Sequence, residues 1–149
     1  MQKKILITGG AGFIGSNFIN HISGNSSYHI TNLDKLTYAG DLANIDLVDS
    51  DNYTFVEGDI CDQDLLKKIF LEQKIDTVVH FAAESHVDNS ITGPKAFIDT
   101  NILGTFNLLQ TAYQAWMSAP NQINVGFEKA RFYHVSTDEV YGTLGKTSL

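Results

Sequence analysis

Residues 3–16 of the chain read Lys-Lys-Ile-Leu-Ile-Thr-Gly-Gly-Ala-Gly-Phe-Ile-Gly-Ser. The apolar Ile-Leu-Ile run is typical of a strand in the buried centre of a parallel sheet, and an apolar helical pattern begins at Phe13. Gly9, Gly12 and Gly15 follow the apolar run at three-residue spacing. A strand that turns through glycines into a helix leaves backbone N–H groups unpaired, and the helix dipole adds partial positive charge there. The stretch therefore predicts a turn that holds the pyrophosphate of a dinucleotide.

The three glycines and an aspartate further along favour NAD as that dinucleotide. Gly9 permits the tight turn, Gly12 lets the backbone approach the phosphates, and Gly15 lets the helix pack close to the strand. Asp34 lies about 20 residues after Gly15, at the end of the second apolar run, where a carboxylate can accept a hydrogen bond from a ribose hydroxyl. The same charge would repel the 2′-phosphate of NADP, whereas Lys35 beside it could bind such a phosphate.

Length and charge restrict the classes of function. A chain of 149 residues is expected to form one domain, here a NAD-binding domain over residues 1–149. Ten basic against 17 acidic residues give a net charge of −7, which argues against binding to nucleic acid. Cys61 is the single cysteine, so no internal disulfide forms and a reducing compartment is expected. No apolar run approaches membrane-spanning length, so we expect no membrane partner and a cytoplasmic location.

Apolar periodicity predicts strands and helices that alternate along the chain. Strands are expected at 5–7, 28–33, 53–56, 75–81 and 131–135, and helices from Phe13 to Gly24, from an Asp62 cap through Phe70, and from Pro94 to about Ala119. We expect one apolar face of the first helix to carry Ile14, Phe18 and Ile22. We also expect a helical turn within 42–48, a polar loop over 82–93 and a polar linker over 120–128. We therefore predict an α/β fold, a Rossmann-like doubly wound parallel sheet in the order 3-2-1-4-5, with ligands beyond the carboxyl ends of its strands.

Two further loops at strand ends carry candidate residues. Asp59-Ile60 follows the third strand and either flanks an adenine or simply ends the strand. The small pair Ala82-Ala83 follows the fourth strand and would let the backbone approach the middle of a dinucleotide. His86 in the same loop is a candidate substrate contact, while His80 fits a structural role. The spacing of these two histidines matches no common metal-ligand motif, so we expect no metal site.

The segment after the fifth strand reads Ser-Thr-Asp-Glu-Val-Tyr-Gly over residues 136–142. Asp138 and Glu139 would place two adjacent carboxylates at the mouth of the cofactor crevice. Mutual repulsion or unequal burial would separate their pKa values, leaving one able to donate a proton and the other to accept one. On the residues alone, Thr137 and Asp138 could instead cap a short helix while Glu139 is solvated.

Three stretches resemble the dTDP-glucose 4,6-dehydratases of the extended short-chain dehydrogenase/reductase superfamily. They are residues 136–142, the run Ala-Ala-Glu-Ser-His-Val-Asp at 82–88 and the run Asp-Lys-Leu-Thr-Tyr-Ala-Gly at 34–40. The resemblance implies a hydro-lyase of deoxysugar biosynthesis. NAD takes a hydride from C4 of the glucosyl unit, water is eliminated across C5 and C6, and the hydride returns to C6. The resemblance assigns Thr137 to the C4 oxygen, Glu139 to the C5 proton as base, and Asp138 to the departing C6 hydroxyl as acid.

The resemblance also extends the predicted site. It implies a nucleotide-sugar substrate that contacts Ser85, His86 and Thr137. It implies a homodimer, formed as a four-helix bundle by the helix from Pro94 and a later helix. Because the helix from Pro94 is longer than needed to cross one sheet, we expect its flank with Tyr113 and Trp116 to be exposed. Together with the residues above, it predicts cofactor contacts at Gly9, Gly12, Phe13, Ile14, Gly15, Asp34, Lys35, Leu36, Thr37, Asp59, Ile60, Phe81, Ala82, Ala83, Ser85 and Thr100.

The chain departs from that family's pattern in one respect. No tyrosine is followed by a lysine four residues later, although the superfamily uses a Tyr-x-x-x-Lys pair to oxidise C4. We therefore expect the chain to be the N-terminal part of a longer enzyme, without the final strands and the nucleotide-sugar domain, and to be inactive alone. A UDP-glucose 4,6-dehydratase and a non-catalytic dinucleotide-binding module remain alternatives.

Overall fold

A parallel sheet forms the centre of the fold. The structure is a computed structural model that describes residues 2–46, 51–137, 140 and 142. Its strands are β1 (Lys3–Thr8), β2 (Tyr28–Asp34), β3 (Tyr53–Glu57), β4 (Thr77–His80), β5 (Met117–Ala119), β6 (Gln122–Ile123) and β7 (Arg131–His134). Within the described ranges, five of these strands pair in parallel in the order β3-β2-β1-β4-β7. This order confirms the predicted Rossmann-like sheet, whose fifth strand is β7.

Helices cover both faces of this sheet. They are α1 (Phe13–Ile22), α2 (Gln63–Gln73), α3 (Val87–Thr92), α4 (Pro94–Phe97) and α5 (Thr105–Trp116), with a π-helical segment, Ile98–Gly104, between α4 and α5. A 3-10 turn, Leu42–Asn44, lies within the predicted 42–48. Asp62 caps α2 as predicted, because its carboxylate accepts the N–H groups of Asp64 at 3.1 Å and Leu65 at 3.0 Å.

Three predictions about the segment 82–128 are wrong. The loop 82–93 contains α3, a helix of six residues that buries none of them and is too short to show a helical period in the sequence. The long helix ends at Trp116 rather than Ala119. The following residues form the antiparallel β5–β6 hairpin, in which β5 replaces the predicted end of the helix and β6 lies inside the predicted linker. The helix ends there because Asn124 donates its N–H to the carbonyl of Trp116 at 2.8 Å and its Nδ2 to that of Ala115 at 2.9 Å.

The indole of Trp116 also differs from expectation. We expected an exposed flank of Tyr113 and Trp116, but Trp116 is half-buried and donates from Nε1 to the carbonyl of Ile75 at 2.7 Å. Its ring packs on Phe70 with the centroids 6.1 Å apart. Tyr113 is 44% exposed, as expected.

Alternate residues of the central strands enter two separate cores. With α2 and α5, one face buries Leu6, Leu33, Ile60, Leu66, Ile69, Phe70, Ile75, Val78, Leu108 and Ala112. With α1, the other face buries Ile5, Ile7, Ile19, Ile30, Ile45, Tyr53 and Val79. The expected buried face of α1 is partly wrong: Phe18 and Ile22 pack against this core, but Ile14 is 61% exposed. Gly15 and Ser16 are buried instead, because α1 begins in close contact with the glycine turn.

Candidate functional site

The glycine turn after β1 requires glycine at two of its three predicted positions. Gly9 has a φ of +71°, and a Cβ there would lie 2.6 Å from the backbone nitrogen of Ala82. A Cβ at Gly15 would lie 2.3 Å from the carbonyl oxygen of Gly9, so any larger residue would force α1 away from the turn. A Cβ at Gly12 would meet only that same oxygen, at an ordinary 3.4 Å, which leaves open space beside the turn.

Gly10 is a third constrained glycine, which the three-residue spacing did not predict. A Cβ there would lie 2.2 Å from Oδ1 of Asn32 and 2.7 Å from Cδ1 of Ile19. Asn32 is fully buried in β2, and its Nδ2 donates to the hydroxyl of Tyr53 at 2.9 Å. The sequence showed only a glycine doublet, which does not reveal that one member makes the turn and the other packs against β2.

Asp34 ties the glycine turn to the loop that follows β2. It is 9% exposed, and its carboxylate accepts the N–H of Ala11 at Oδ2 (2.8 Å) and the N–H of Leu36 at Oδ1 (2.9 Å). The carbonyl of Ala11 in turn accepts the N–H of Asp41 at 3.0 Å, so the loop is fixed at both ends. A carboxylate offers about four lone-pair positions, so both oxygens of Asp34 retain one for a ribose hydroxyl.

Lys35 and Asp59 form an ion pair at the same edge of the sheet. Nζ of Lys35 lies 2.6 Å from Oδ2 of Asp59, and the N–H of Cys61 donates to the other carboxylate oxygen at 2.9 Å. Burial disfavours the charged form of Asp59, but the hydrogen bonds from Lys35 and Cys61 outweigh it and hold the pKa of the carboxyl below its usual value. The hydrogen bond to Asp59 raises the pKa of Lys35, so both groups are charged at neutral pH.

A cleft of about 440 Å³ lies beside this ion pair. Lys35, Asp59 and Thr100, all predicted cofactor contacts, line it together with Cys61, Glu84, Lys95, Ala96, Asp99, Leu103 and Asn107. Ile60 is 4% exposed, and its side chain lies in the core, 2.6 Å from where a Cβ at Gly104 would be. Because that side chain is buried, the predicted adenine contact of Ile60 has to come from its backbone.

The loop after β4 is held by Asn101, a residue that the sequence argument did not assign to the site. From the π-helical segment, Asn101 accepts the N–H of Glu84 at Oδ1 (2.8 Å) and donates from Nδ2 to the carbonyl of Glu84 (2.9 Å). This pair of bonds fixes the loop that touches Gly9. The ring of His86 meets that of Tyr38 edge-on with the centroids 6.5 Å apart, so the loops after β2 and β4 are in contact.

His80 is a buried structural residue at this edge. Its Nδ1 lies 2.6 Å from Oγ1 of Thr8 on β1, and its Nε2 lies 2.9 Å from Oγ1 of Thr105 on α5. Burial, with a smaller contribution from the neighbouring His134, lowers the pKa of His80 to about 4. The imidazole is therefore neutral at pH 7 and joins two strands and a helix.

The other predicted residues surround the same crevice or lie outside the described part. Phe81 is half-buried and packs on Phe18 with the ring centroids 5.4 Å apart. Leu36 and Ala82 are half-buried. The predicted residues that are exposed are Phe13, Ile14, Thr37, Ala83, Ser85, His86 and Thr137. Asp138 and Glu139, the predicted acid and base, lie outside the described residues.

Two kinds of feature are absent from the described ranges. No cluster of three or more histidine, cysteine or acidic side chains in those ranges could hold a metal ion. No helix in them is long and apolar enough to cross a membrane.

Comparison with known proteins identifies one family and a consistent set of relatives. The family described as GDP-mannose 4,6 dehydratase matches residues 6–149. The dTDP-glucose 4,6-dehydratase of Shigella flexneri is 52% identical over 142 residues, which are 95% of this chain and 38% of that protein. The dTDP-glucose 4,6-dehydratase of Neisseria meningitidis serogroup B is 50% identical over 147 residues, or 98% of this chain and 41% of that protein. The chain thus spans about two fifths of these curated relatives, and the resemblance found in its sequence is confirmed.

Solved structures show the same fold. The dTDP-glucose 4,6-dehydratase of Bacillus anthracis in complex with NAD has a TM-score of 0.76 and 41% identity, covering 97% of this chain and 41% of that one. The UDP-Glc/GlcNAc 4-epimerase of Campylobacter jejuni has a TM-score of 0.78 and 32% identity, covering 99% of this chain and 42% of that one. Dehydratases and epimerases thus share this fold, so the fold does not distinguish the two reactions.

Proposed function

The chain belongs to the GDP-mannose 4,6 dehydratase family, and we propose that it is the NAD-binding part of a dTDP-glucose 4,6-dehydratase. The observation that carries this proposal is the identity of about half to dTDP-glucose 4,6-dehydratases over almost the whole chain. In this proposal the chain forms the cofactor domain, and the nucleotide-sugar domain and the Tyr-x-x-x-Lys pair belong to a later part of the protein.

The residues of the crevice fit NAD. At Gly9 a Cβ would collide with the loop after β4, so the turn and this loop lie in close contact. Gly12 has no side chain and faces open space, so a pyrophosphate can approach the backbone of the turn. Asp34 is fixed by two backbone N–H groups and can still accept a ribose hydroxyl. We assign the adenine to the cleft lined by Asp59 and Thr100.

NAD, when bound, would take up a hydride from C4 of the sugar and return it to C6. The residues after β7 would perform the remaining steps. We assign to Thr137 a hydrogen bond to the C4 oxygen, to Glu139 removal of the C5 proton, and to Asp138 protonation of the departing C6 hydroxyl. A 4-ketone acidifies the C5–H bond, so a carboxylate is a sufficient base. Epimerisation at C4 eliminates no water and needs neither carboxylate, which favours the dehydratase over the epimerase.

Deuterium exchange in the full-length gene product tests these roles. With dTDP-glucose in D₂O, we expect a 4-keto-6-deoxy product that carries deuterium at C5. Glu139→Gln should still reduce NAD but block exchange at C5, whereas Asp138→Asn should allow exchange but slow the loss of the hydroxyl, each by about 10²–10⁴-fold. Exchange at the wild-type rate in Glu139→Gln would mean that the base lies elsewhere. Turnover of UDP-glucose but not of dTDP-glucose would favour a UDP-glucose 4,6-dehydratase. NAD binding without turnover of either sugar nucleotide would favour a non-catalytic module.

We further propose that the full-length protein is a homodimer that buries the exposed side of α4, the π-helical segment and α5. Large apolar side chains recur there every three or four residues, at Ile98, Ile102, Phe106, Leu109 and Tyr113, and they are 44–61% exposed. A contiguous apolar stripe of this kind is typical of an interface rather than of a free surface. In a dimer this surface would pack against its copy and a later helix.

A further inference from the structure

Lys35 is placed where it could reverse the cofactor preference proposed above. It follows Asp34 directly, and a basic residue at this position commonly accommodates the 2′-phosphate of NADP. Asp34 and Lys35 therefore make opposite contributions to the choice between the two dinucleotides. Which contribution prevails depends on where the ammonium group of Lys35 is held.

The structure directs that ammonium toward β3 rather than toward a ribose. Its Nζ lies 2.6 Å from Oδ2 of Asp59. Asp59 is the fixed partner, because the N–H of Cys61 holds its other oxygen at 2.9 Å and its side chain is only 30% exposed. The side chain of Lys35 is 60% exposed and would have many conformations without this partner.

We propose that Asp59 is a specificity-determining residue that retains Lys35 and so keeps the site selective for NAD. With the pair formed, a 2′-phosphate would meet the carboxylates of Asp34 and Asp59 and only a cation that is already neutralised. With the pair broken, Lys35 could reach the phosphate as a free positive charge. This inference rests on the proposed function, since it assumes that the crevice binds NAD.

A double-mutant cycle on the full-length gene product measures the effect. The dissociation constants of NAD and NADP are determined by titration calorimetry, after removal of retained cofactor, for the wild type, Lys35→Met, Asp59→Asn and the double variant. Asparagine keeps an oxygen for the N–H of Cys61 and removes only the charge. Asp64→Asn is the matched control, because it removes the same charge from an exposed pair with Lys67 on α2, and neither of these residues lines the cleft.

We expect Asp59→Asn to lower the ratio of the NADP to the NAD dissociation constant about fivefold, the upper range for an exposed ion pair. Lys35→Met should change this ratio by less than about twofold in the wild type, but should restore the high ratio in the Asp59→Asn background. Asp64→Asn should leave the ratio as it is.

Three results would overturn the proposal. The first is an unchanged ratio in Asp59→Asn. The second is a ratio that falls equally in Asp59→Asn and in the double variant, because general repulsion would then explain the effect. The third is a selective loss of NADP binding in Lys35→Met alone, which can be measured even if Asp59→Asn does not fold. If the folded wild type binds neither dinucleotide, the proposed function fails as well, whereas NAD binding without coupling between the two residues refutes only the role of Asp59.

Discussion

The neutral imidazole of His80 should make the stability of the chain depend on pH. Its two ring nitrogens contact Thr8 on β1 and Thr105 on α5, and its pKa is lowered to about 4. In the unfolded chain the imidazole has its ordinary pKa of 6.5. Between these two values the unfolded state binds more protons than the folded state. The free energy of unfolding must therefore fall as the pH falls from 6.5 toward 4.

The size of this effect follows from the two pKa values. When His80 is fully protonated in the unfolded state and neutral in the folded state, the free energy of unfolding is lower by about 3 kcal/mol. At pH 5 the free energy of unfolding has already fallen by about 2 kcal/mol of this amount. Replacing His80 with glutamine keeps a donor and an acceptor between the two threonines but removes the titrating group. His80→Gln should be less stable than the wild type at pH 7, because its side chain does not fill the same space.

Urea unfolding at pH 7, 6 and 5 separates this contribution from that of the carboxylates, which both proteins share. The fluorescence of Trp116, the single tryptophan, reports the transition because its ring packs on Phe70. Between pH 7 and 5 the wild type should lose about 2 kcal/mol more than His80→Gln. The exposed His21→Gln serves as control and should follow the wild type. Equal losses in the wild type and His80→Gln would show that His80 is not the titrating group.

Two further changes test the turn and the proposed dimer. Gly15→Ala places a Cβ 2.3 Å from a backbone oxygen, so it should lower the free energy of unfolding by about 1–3 kcal/mol and weaken NAD binding. Gly24→Ala is the control: a Cβ there has no atom within 4 Å, so the free energy of unfolding should change by less than about 0.5 kcal/mol. A Gly15→Ala protein of wild-type stability would contradict the packing described. Phe106→Glu should convert a full-length dimer to monomers in sedimentation at micromolar concentration, while Leu71→Glu, at an even more exposed position on α2, should not. A monomeric wild type would exclude the dimer.

The fold could be predicted because its rules are local or topological. Ile5 and Ile7 enter one core and Leu6 the other, as the two-residue period of a strand requires. Asp62 could be recognised as a cap because its partners lie two and three residues away. The helix Val87–Thr92 could not be predicted, since it has six residues and none of them is buried. Val87 and Ile91 are its single apolar pair, which is too little to establish a helical period.

The site was predictable only where the backbone itself sets the requirement. Gly9 was identified because a dinucleotide turn needs a left-handed residue after the strand. Asn101 was not identified from the sequence, because its partner Glu84 is 17 residues away. The contact also depends on a π-helical segment that no periodicity reveals. Asn32 and Gly10 illustrate the same limit, since their close contact depends on how β2 lies beneath the turn.

The roles of Lys35 and Asp59 depend on the register of the sheet. From the sequence, Asp59 was either an adenine contact or a strand end, and Lys35 could have bound the phosphate of NADP. In the sheet Asp34 pairs with Glu57, so the residues just beyond these two positions leave neighbouring strands at the same edge. A cation after one parallel strand and a carboxylate after the next are then within reach of each other, although 24 positions separate them in the chain (59 − 35). A cofactor preference inferred from Asp34 and Lys35 alone is therefore incomplete, because the strand beside them supplies the charge that decides whether Lys35 is available.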